Sequence, residues 1–277
     1  MARVSKLKKQ LTYGVTATVS ISLVLLGALI LPSSIFNPAF DNYIVVALII
    51  LFIPIIIINR LEKHWIRKIE NSLPSFLDDL ASSQRTGMPF AKALETLADR
   101  QYGPLTKELK SVVAKMSMGM TYLQALDMFG KRVSTPLVNQ AVLLLQQVAR
   151  AGGNVQDALD MIATHIREVQ NLEKERRATL RPYIFIIYIS FAVFLSTIAI
   201  LYVYFFLPIS SFSSKVPFLP AGFPIQDVKR SLYHMSIIEA VGGGLVGGKM
   251  TGGSATEGLK HSLLLLIAAL ITFTVIA

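Results

Sequence analysis

The residues that invite a chemical reading lie near the end of the chain. Residues 243–249 read Gly-Gly-Leu-Val-Gly-Gly-Lys, which satisfies the G-x-x-x-x-G-K spacing of a loop whose backbone amides cradle phosphates. Met250 follows, so the hydroxyl that would reach magnesium is missing. No strand pattern precedes the run and apolar sequence flanks it, so nucleotide binding is not expected. Glu239 stands four residues upstream in the same apolar stretch. A carboxylate at membrane depth is costly and turns towards protein rather than lipid. Two readings are open for it: a hydrated interfacial side chain, or a polar contact to another subunit or a passenger helix. His64, His165, His234 and His261 are scattered without metal-ligand spacing. Asp78 and Asp79 are adjacent on a helix and point in different directions, and the Ser-rich run at 210–214 has no base nearby. Zero Cys excludes a disulfide framework and cysteine metal sites. No catalytic residue, cofactor site or metal site is expected, and the chain reads as non-enzymatic.

The elements that must position these groups follow from composition. Hydrophobic residues make up 53% of the 277 and charged residues 16%, the balance of a membrane protein. Residues 11–31 follow a basic start (Arg3, Lys6, Lys8, Lys9) and form an uncharged run long enough to cross a bilayer. The run exceeds a signal-peptide core, and Leu31-Pro32-Ser33-Ser34 is a poor cleavage site, so an uncleaved span is expected. Residues 43–58 give a second span, kinked at Pro54, and residues 183–207 an uncharged third. Residues 232–248 carry Glu239 and the GxxxG pairs Gly243/Gly247 and Gly244/Gly248, which permit close helix packing. Residues 262–277 complete the set. The expected architecture is an all-α integral membrane protein of about five transmembrane helices with one cytoplasmic six-helix bundle. Its parts are an N-terminal hairpin (1–58), the bundle (59–182), a span (183–207), an external loop (208–231) and a Gly-rich C-terminal hairpin (232–277). The block 59–182 holds 18 Lys/Arg and 13 Asp/Glu. The positive-inside rule puts it and the N-terminus in the cytoplasm of a multi-pass protein of the cell (inner, cytoplasmic) membrane. The net charge of +10 suits an acidic partner or anionic lipid, and topology alone also produces such an excess.

Within the block, three stretches repeat at intervals of about 33 residues, at 87–97, 119–129 and 152–162. Each reads Gly, five variable residues, Ala-Leu-acid, one variable residue and a large apolar residue, a period that indicates helical hairpins. Gly87, Gly119 and the Gly152-Gly153-Asn154 run form the structural turn motif: glycine ends one helix in the left-handed conformation and the next opens at once. Six helices are expected over 74–86, 89–101, 104–118, 121–132, 136–150 and 154–181. Pro74, Pro89, Pro104 and Pro136 fall in first turns, and Thr121 with Gln124 fits a capping box. Trp65 fits either the interface or the core. The last helix has a charged middle that is a solvated stalk or a covered surface, and Pro182 is expected to end it.

Specific residues of this block carry a resemblance. Leu73-Pro-Ser-Phe-Leu-Asp-Asp-Leu, Arg85-Thr-Gly87-Met, Ala93-Leu94-Glu95, Gly103-Pro104-Leu105, Glu108-Leu109, Gly119 with Ala125-Leu126, and Gly152-Gly153-Asn154 resemble the type II secretion system F domain. Inner-membrane platform proteins of type II secretion systems, type IV pili, tight-adherence pili and archaella share that domain. The likeness covers about 110 residues plus Pro182 and the span after it. The tail from Gly244 to Lys249 and from Gly258 to His261 is similar to the end of archaellum-type platform proteins. One F domain is present rather than the two of longer members. The resemblance implies a platform that couples a cytoplasmic hexameric ATPase to insertion of pilin subunits into the membrane, or their extraction from it. It also implies pilin or archaellin subunits and membrane lipid as partners, a homo-oligomer (dimer or trimer), and no nucleic acid. The ATPase-docking candidates are Lys107, Lys110, Lys131, Arg132, Arg150, Arg176 and Arg177. Glu239 is the membrane contact candidate, facing the charged head of a pilin helix. The alternatives are a membrane-anchored helical-repeat adaptor for another complex and a transporter using Glu239.

Overall fold

The structure is a computed structural model and describes residues 6–30, 38–151, 155–212 and 225–276. Among these every regular element is helical: α1 (Lys6–Ile30), α2 (Pro38–Arg85), α3 (Phe90–Ala98), α4 (Pro104–Ser117), α5 (Tyr122–Val133), α6 (Pro136–Ala151), α7 (Val155–Leu201), a π-helical turn (Tyr202–Phe206), α8 (Leu207–Phe212), α9 (Ile225–Gly252) and α10 (Ala255–Val275). The chain divides into two compact units. Among the described residues, Arg60–Glu175 forms one, and the segments from Lys6 to Asn59 and from Arg176 onward form the other.

The first unit uses the C-terminal part of α2, the four short helices and the beginning of α7. Each presents apolar residues at three- and four-residue spacing to one core, which is why these segments are amphipathic helices. Ile69, Leu73, Phe76, Leu77 and Leu80 come from α2, Leu94 and Leu97 from α3, Leu105 and Leu109 from α4, Leu126 and Phe129 from α5, Val138 and Leu145 from α6, and Leu159 and Ile166 from α7. Each such buried side chain contributes about 1.5–3 kcal/mol relative to exposure. Trp65 is 3% exposed and belongs to this core. The Ala-Leu pairs of the first two repeats, Ala93-Leu94 and Ala125-Leu126, are fully buried.

Several turns follow simple stereochemistry. Gly87 (φ 75°) and Gly119 (φ 91°) take the left-handed conformation after α2 and α4. The Met88 N–H donates to the Ser83 carbonyl at 3.2 Å and the Met120 N–H to the Lys115 carbonyl at 3.1 Å, the wide bond of a Schellman C-cap. Thr121 and Gln124 form the reciprocal capping box that opens α5. The expected turn at Gly152, Gly153 and Asn154 lies outside the described residues.

Two prolines do not bound helices where the sequence places boundaries. Pro74, expected in a first turn, lies inside α2, and α7 runs through Pro182 to Leu201. A proline inside a helix removes the N–H that would serve the carbonyl four residues back. For Pro74 that carbonyl belongs to Glu70, and Gln170 Nε2 of α7 donates to it at 2.7 Å. The lost donor is replaced from a neighbouring helix, and buried Leu73, Phe76 and Leu77 hold the turn. At Pro182 the turns on both sides keep their own bonds, and one missing bond does not end so long a helix.

Among the described residues four helices are long and apolar enough to cross a membrane by length and composition: Gln10–Ile30, Phe40–Arg85, Val155–Ile209 and Ala255–Val275. α9 is not among them, yet it packs antiparallel along α10. The Tyr233 and Phe273 rings lie 4.8 Å apart. Ser262 Oγ donates to the Val241 carbonyl at 3.0 Å. A Cβ on Gly244 would lie 2.2 Å from Ser262 N, and one on Gly248 2.0 Å from Gly258 Cα, so only glycine permits this approach. Residues 208–212 and 225–231, expected within an external loop, are helical. Asp227 in the first turn of α9 complements the helix dipole there.

Candidate functional site

The basic residues that the sequence proposes for docking differ in what holds them. Arg132, at the end of α5, pairs with Glu108 of α4 at 3.0 Å, and Glu108 is only 6% exposed. A buried carboxylate needs such a partner, so Arg132 has a structural task. Lys131 pairs with Asp127 one turn back at 2.6 Å on the open surface. Lys110 reaches Asp99 at 3.7 Å. Lys107 and Arg150 are exposed. The Glu108–Arg132 contact brings Lys107 to the end of α5 that carries Lys131. Arg150 lies at the other end, where the Tyr122 hydroxyl donates to the Ala149 carbonyl at 3.4 Å, roughly 15 Å away along the helix. Arg176 and Arg177 fall beyond Glu175, in the other unit. The seven residues therefore do not form one patch within the bundle.

A cleft of about 730 Å³ opens between α3 and α4, lined by Lys92, Glu95, Asp99, Lys110 and Ser117 among others. Its charges are balanced by the Lys92–Glu95 and Lys110–Asp99 pairs. Nearby, the Tyr102 hydroxyl donates to Asp79 Oδ2 at 2.5 Å and Arg100 pairs with Asp79 at 3.0 Å. Burial first, and then the bond to Asp79, push the Tyr102 phenol well above its usual range. The Asp79 carboxylate likewise raises the Arg100 guanidinium. Asp78 turns to α7 instead, where Arg167 donates to it. The two adjacent acids thus serve separate contacts within the bundle.

In the second unit, residues 243–249 lie inside α9. A helix satisfies its own interior amides, so the run offers no phosphate cradle. Its glycines instead face two helices: Gly244 and Gly248 meet α10, and Gly243 and Gly247 meet Ile187 of α7. Glu239 lies on α9 and is partly exposed. Sequence reasoning missed a buried ion pair in this unit. Asp41, 2% exposed, accepts from Arg230 Nε at 2.7 Å and from a terminal guanidinium nitrogen at 3.0 Å, and His234 Nε2 lies 3.2 Å from it. Asp41 and Arg230 are 189 positions apart, so nothing local links them. Tyr188 and His261 join α7 to α10 by a 2.6 Å hydrogen bond.

An all-helical polar unit and a second unit of helices able to cross a bilayer define a multi-pass membrane protein. Residues 76–203 match the family described as type II secretion system (T2SS), protein F, so this part of the chain is similar to that family. It is similar to an uncharacterized protein of Methanocaldococcus jannaschii, with 27% identity over 87% of this chain and 39% of the relative. It is also similar to flagella accessory protein J of the same organism (22% identity, 46% of this chain, 23% of the relative) and of Methanococcus voltae (25%, 47% and 23%). The chain thus spans about two fifths or less of the length of these relatives. No solved structure matches it.

Proposed function

We propose that the protein is the membrane platform of a type IV pilus-like, archaellum or type II secretion machine, coupling a cytoplasmic hexameric ATPase to movement of pilin-like subunits into or out of the membrane. The observation that carries the reading is the F-domain match over 76–203, in a polar helical unit whose flanking helices are apolar enough to span a bilayer. The likeness to flagella accessory protein J favours the archaellum-related branch. On this reading α9 is a fifth span. The domains are a hairpin over 1–58, the F domain over 59–182, a span over 183–207, a loop over 208–231 and a hairpin over 232–277. The bundle and the N-terminus face the cytoplasm, where the excess of basic residues belongs. Lys107 and Lys131, neighbouring at one end of α5, are the first choice for meeting an acidic ATPase surface, since charges at an interface rim steer encounter. Lys110, Arg150, Arg176 and Arg177 are secondary. α7, continuous from the third repeat into the second unit, is the element through which work passes.

The test is affinity purification of the full-length tagged protein from native membranes in mild detergent. Recovery of a hexameric secretion ATPase with pilin-like subunits supports the platform. Recovery of an unrelated soluble complex without either favours an anchored helical-repeat adaptor and ends the platform reading.

A further inference from the structure

The glycines of α9 divide by what a side chain at each would meet. At Gly244 and Gly248 it would strike the backbone of α10. At Gly247 it would lie 3.0 Å from Ile187 Cδ1, and at Gly243 3.6 Å from Ile187 Cγ2. At Gly242 it would meet nothing within 4 Å. A glycine inside a helix costs about 1 kcal/mol relative to alanine. The α10 backbone accounts for glycine at Gly244 and Gly248, and the tight approach of the Ile187 side chain favours it at Gly247; a side chain at Gly243 would make only an ordinary contact, and at Gly242 none.

Gly242 lies one turn beyond Glu239. Along the same side of α9, Met235, Ile238 and Val246 are 58%, 72% and 56% exposed. Glu239 makes no ion pair or hydrogen bond among the described residues. The antiparallel contacts fix its level: Tyr233 meets Phe273 and Gly244 meets Ser262, so Glu239 stands beside the middle of α10. That helix is one of those able to cross a membrane. A carboxylate facing lipid at such a depth costs about 2.5–3.5 kcal/mol on insertion scales, and more without water. A notch for close helix approach next to an unsatisfied anion is the complement of a helix with a cation.

We infer that the α9 face formed by Met235, Ile238, Glu239, Gly242 and Val246 is a berth for one transmembrane helix of a partner protein, which presents an amine, lysine or arginine to Glu239. A second copy of this chain does not fit the same place, because two-fold pairing on this face sets two Glu239 carboxylates together. The inference deepens the platform reading, on which the identification of that partner as the transported subunit rests.

The experiment places a photo-crosslinking residue at Ile238 of the full-length protein in native membranes, with a control probe at Val193 on α7, also exposed at 59%. The expected result is an adduct from position 238 with a membrane protein whose cross-linked helix contains a cationic group. That adduct is lost in Glu239→Gln and in Gly242→Leu, and returns in Glu239→Lys when the partner's cation is replaced by Glu. The probe at Val193 gives no such adduct. Gly242→Leu has open space to occupy; should it fail to accumulate, the Glu239 series decides alone. Adducts with lipid only, with a second copy of this chain, or unaffected by Glu239→Gln overturn the berth. Lipid adducts with the secretion ATPase still co-purifying remove the berth and leave the platform. The expected adduct without the ATPase does the reverse.

Discussion

Gln170 donates its side-chain amide to the carbonyl of Glu70, the group that Pro74 leaves without its helical partner. One side chain of α7 thereby repairs a break in α2, a hundred residues away in sequence. The relationship predicts coupling. Gln170→Ala costs about 1 kcal/mol, the loss of a hydrogen bond at a part-buried carbonyl. In a Pro74→Ala background, where the helix supplies its own donor, the same change costs about 0–0.5 kcal/mol. Thermal unfolding of the four purified proteins in one detergent measures the cycle, and equal costs in both backgrounds would show that the two residues act independently.

Arg132 and Lys131 are neighbours with opposite expectations. Arg132→Glu sets a second carboxylate against buried Glu108 and destabilises the bundle by about 2 kcal/mol, a buried-pair figure reduced for the 54% exposure of the Arg132 side chain. Lys131→Glu changes stability by about 0.5 kcal/mol or less. Docking to an acidic partner is therefore tested at Lys131 and Lys107, and a loss of binding in Arg132→Glu is read only beside its unfolding curve.

Much of the bundle is legible in its sequence because its signals are local. Pro104 and Pro136 open helices, Gly87 and Gly119 close them, and Thr121 with Gln124 caps one. Pro74 and Pro182 carry the same local signal and mean something else, since the donor that rescues Glu70 comes from a distant segment. The candidate site is less legible. Spacing reveals the glycines of α9 but not which helix each one faces. Charge counting finds Arg132 but not the buried acid behind it, and nothing local pairs Arg230 with Asp41, 189 positions away.

The Asp41–Arg230 pair ties the first turn of α2 to the first turns of α9. Arg230→Ala leaves the buried Asp41 without its guanidinium partner and destabilises by about 3–5 kcal/mol. Arg230→Lys recovers only part of this, because an ammonium cannot repeat the two-nitrogen contact. Protease resistance of the detergent-solubilised protein ranks the variants, and equal resistance of Lys and Arg at 230 would refute the geometric argument.

Tyr102 makes the bundle sensitive to alkali. Its folded-state phenol is held above the usual value of about 10, so its contribution is complete below that pH and is lost as pH rises through the higher folded value. Tyr102→Phe forfeits about 1–2 kcal/mol near neutrality while keeping the edge-on ring contact with Phe76. Its unfolding midpoint then falls less between pH 9 and 11 than that of the parent. Parallel decline of the two proteins would place the alkaline sensitivity elsewhere.

The contact between α9 and α10 also bears on how the protein is made. On the reading that both helices cross the bilayer, α9 emerges from the ribosome first and is long enough to span, but falls short of the apolarity that lets a helix partition unaided, whereas α10 meets it. The surfaces that shelter Gly244 and Gly248 do not exist until residues 258–262 have been synthesised. α9 therefore waits at the insertion machinery for its successor, and the two enter as a hairpin. Truncation just before Ala255 would leave α9 stranded outside the bilayer.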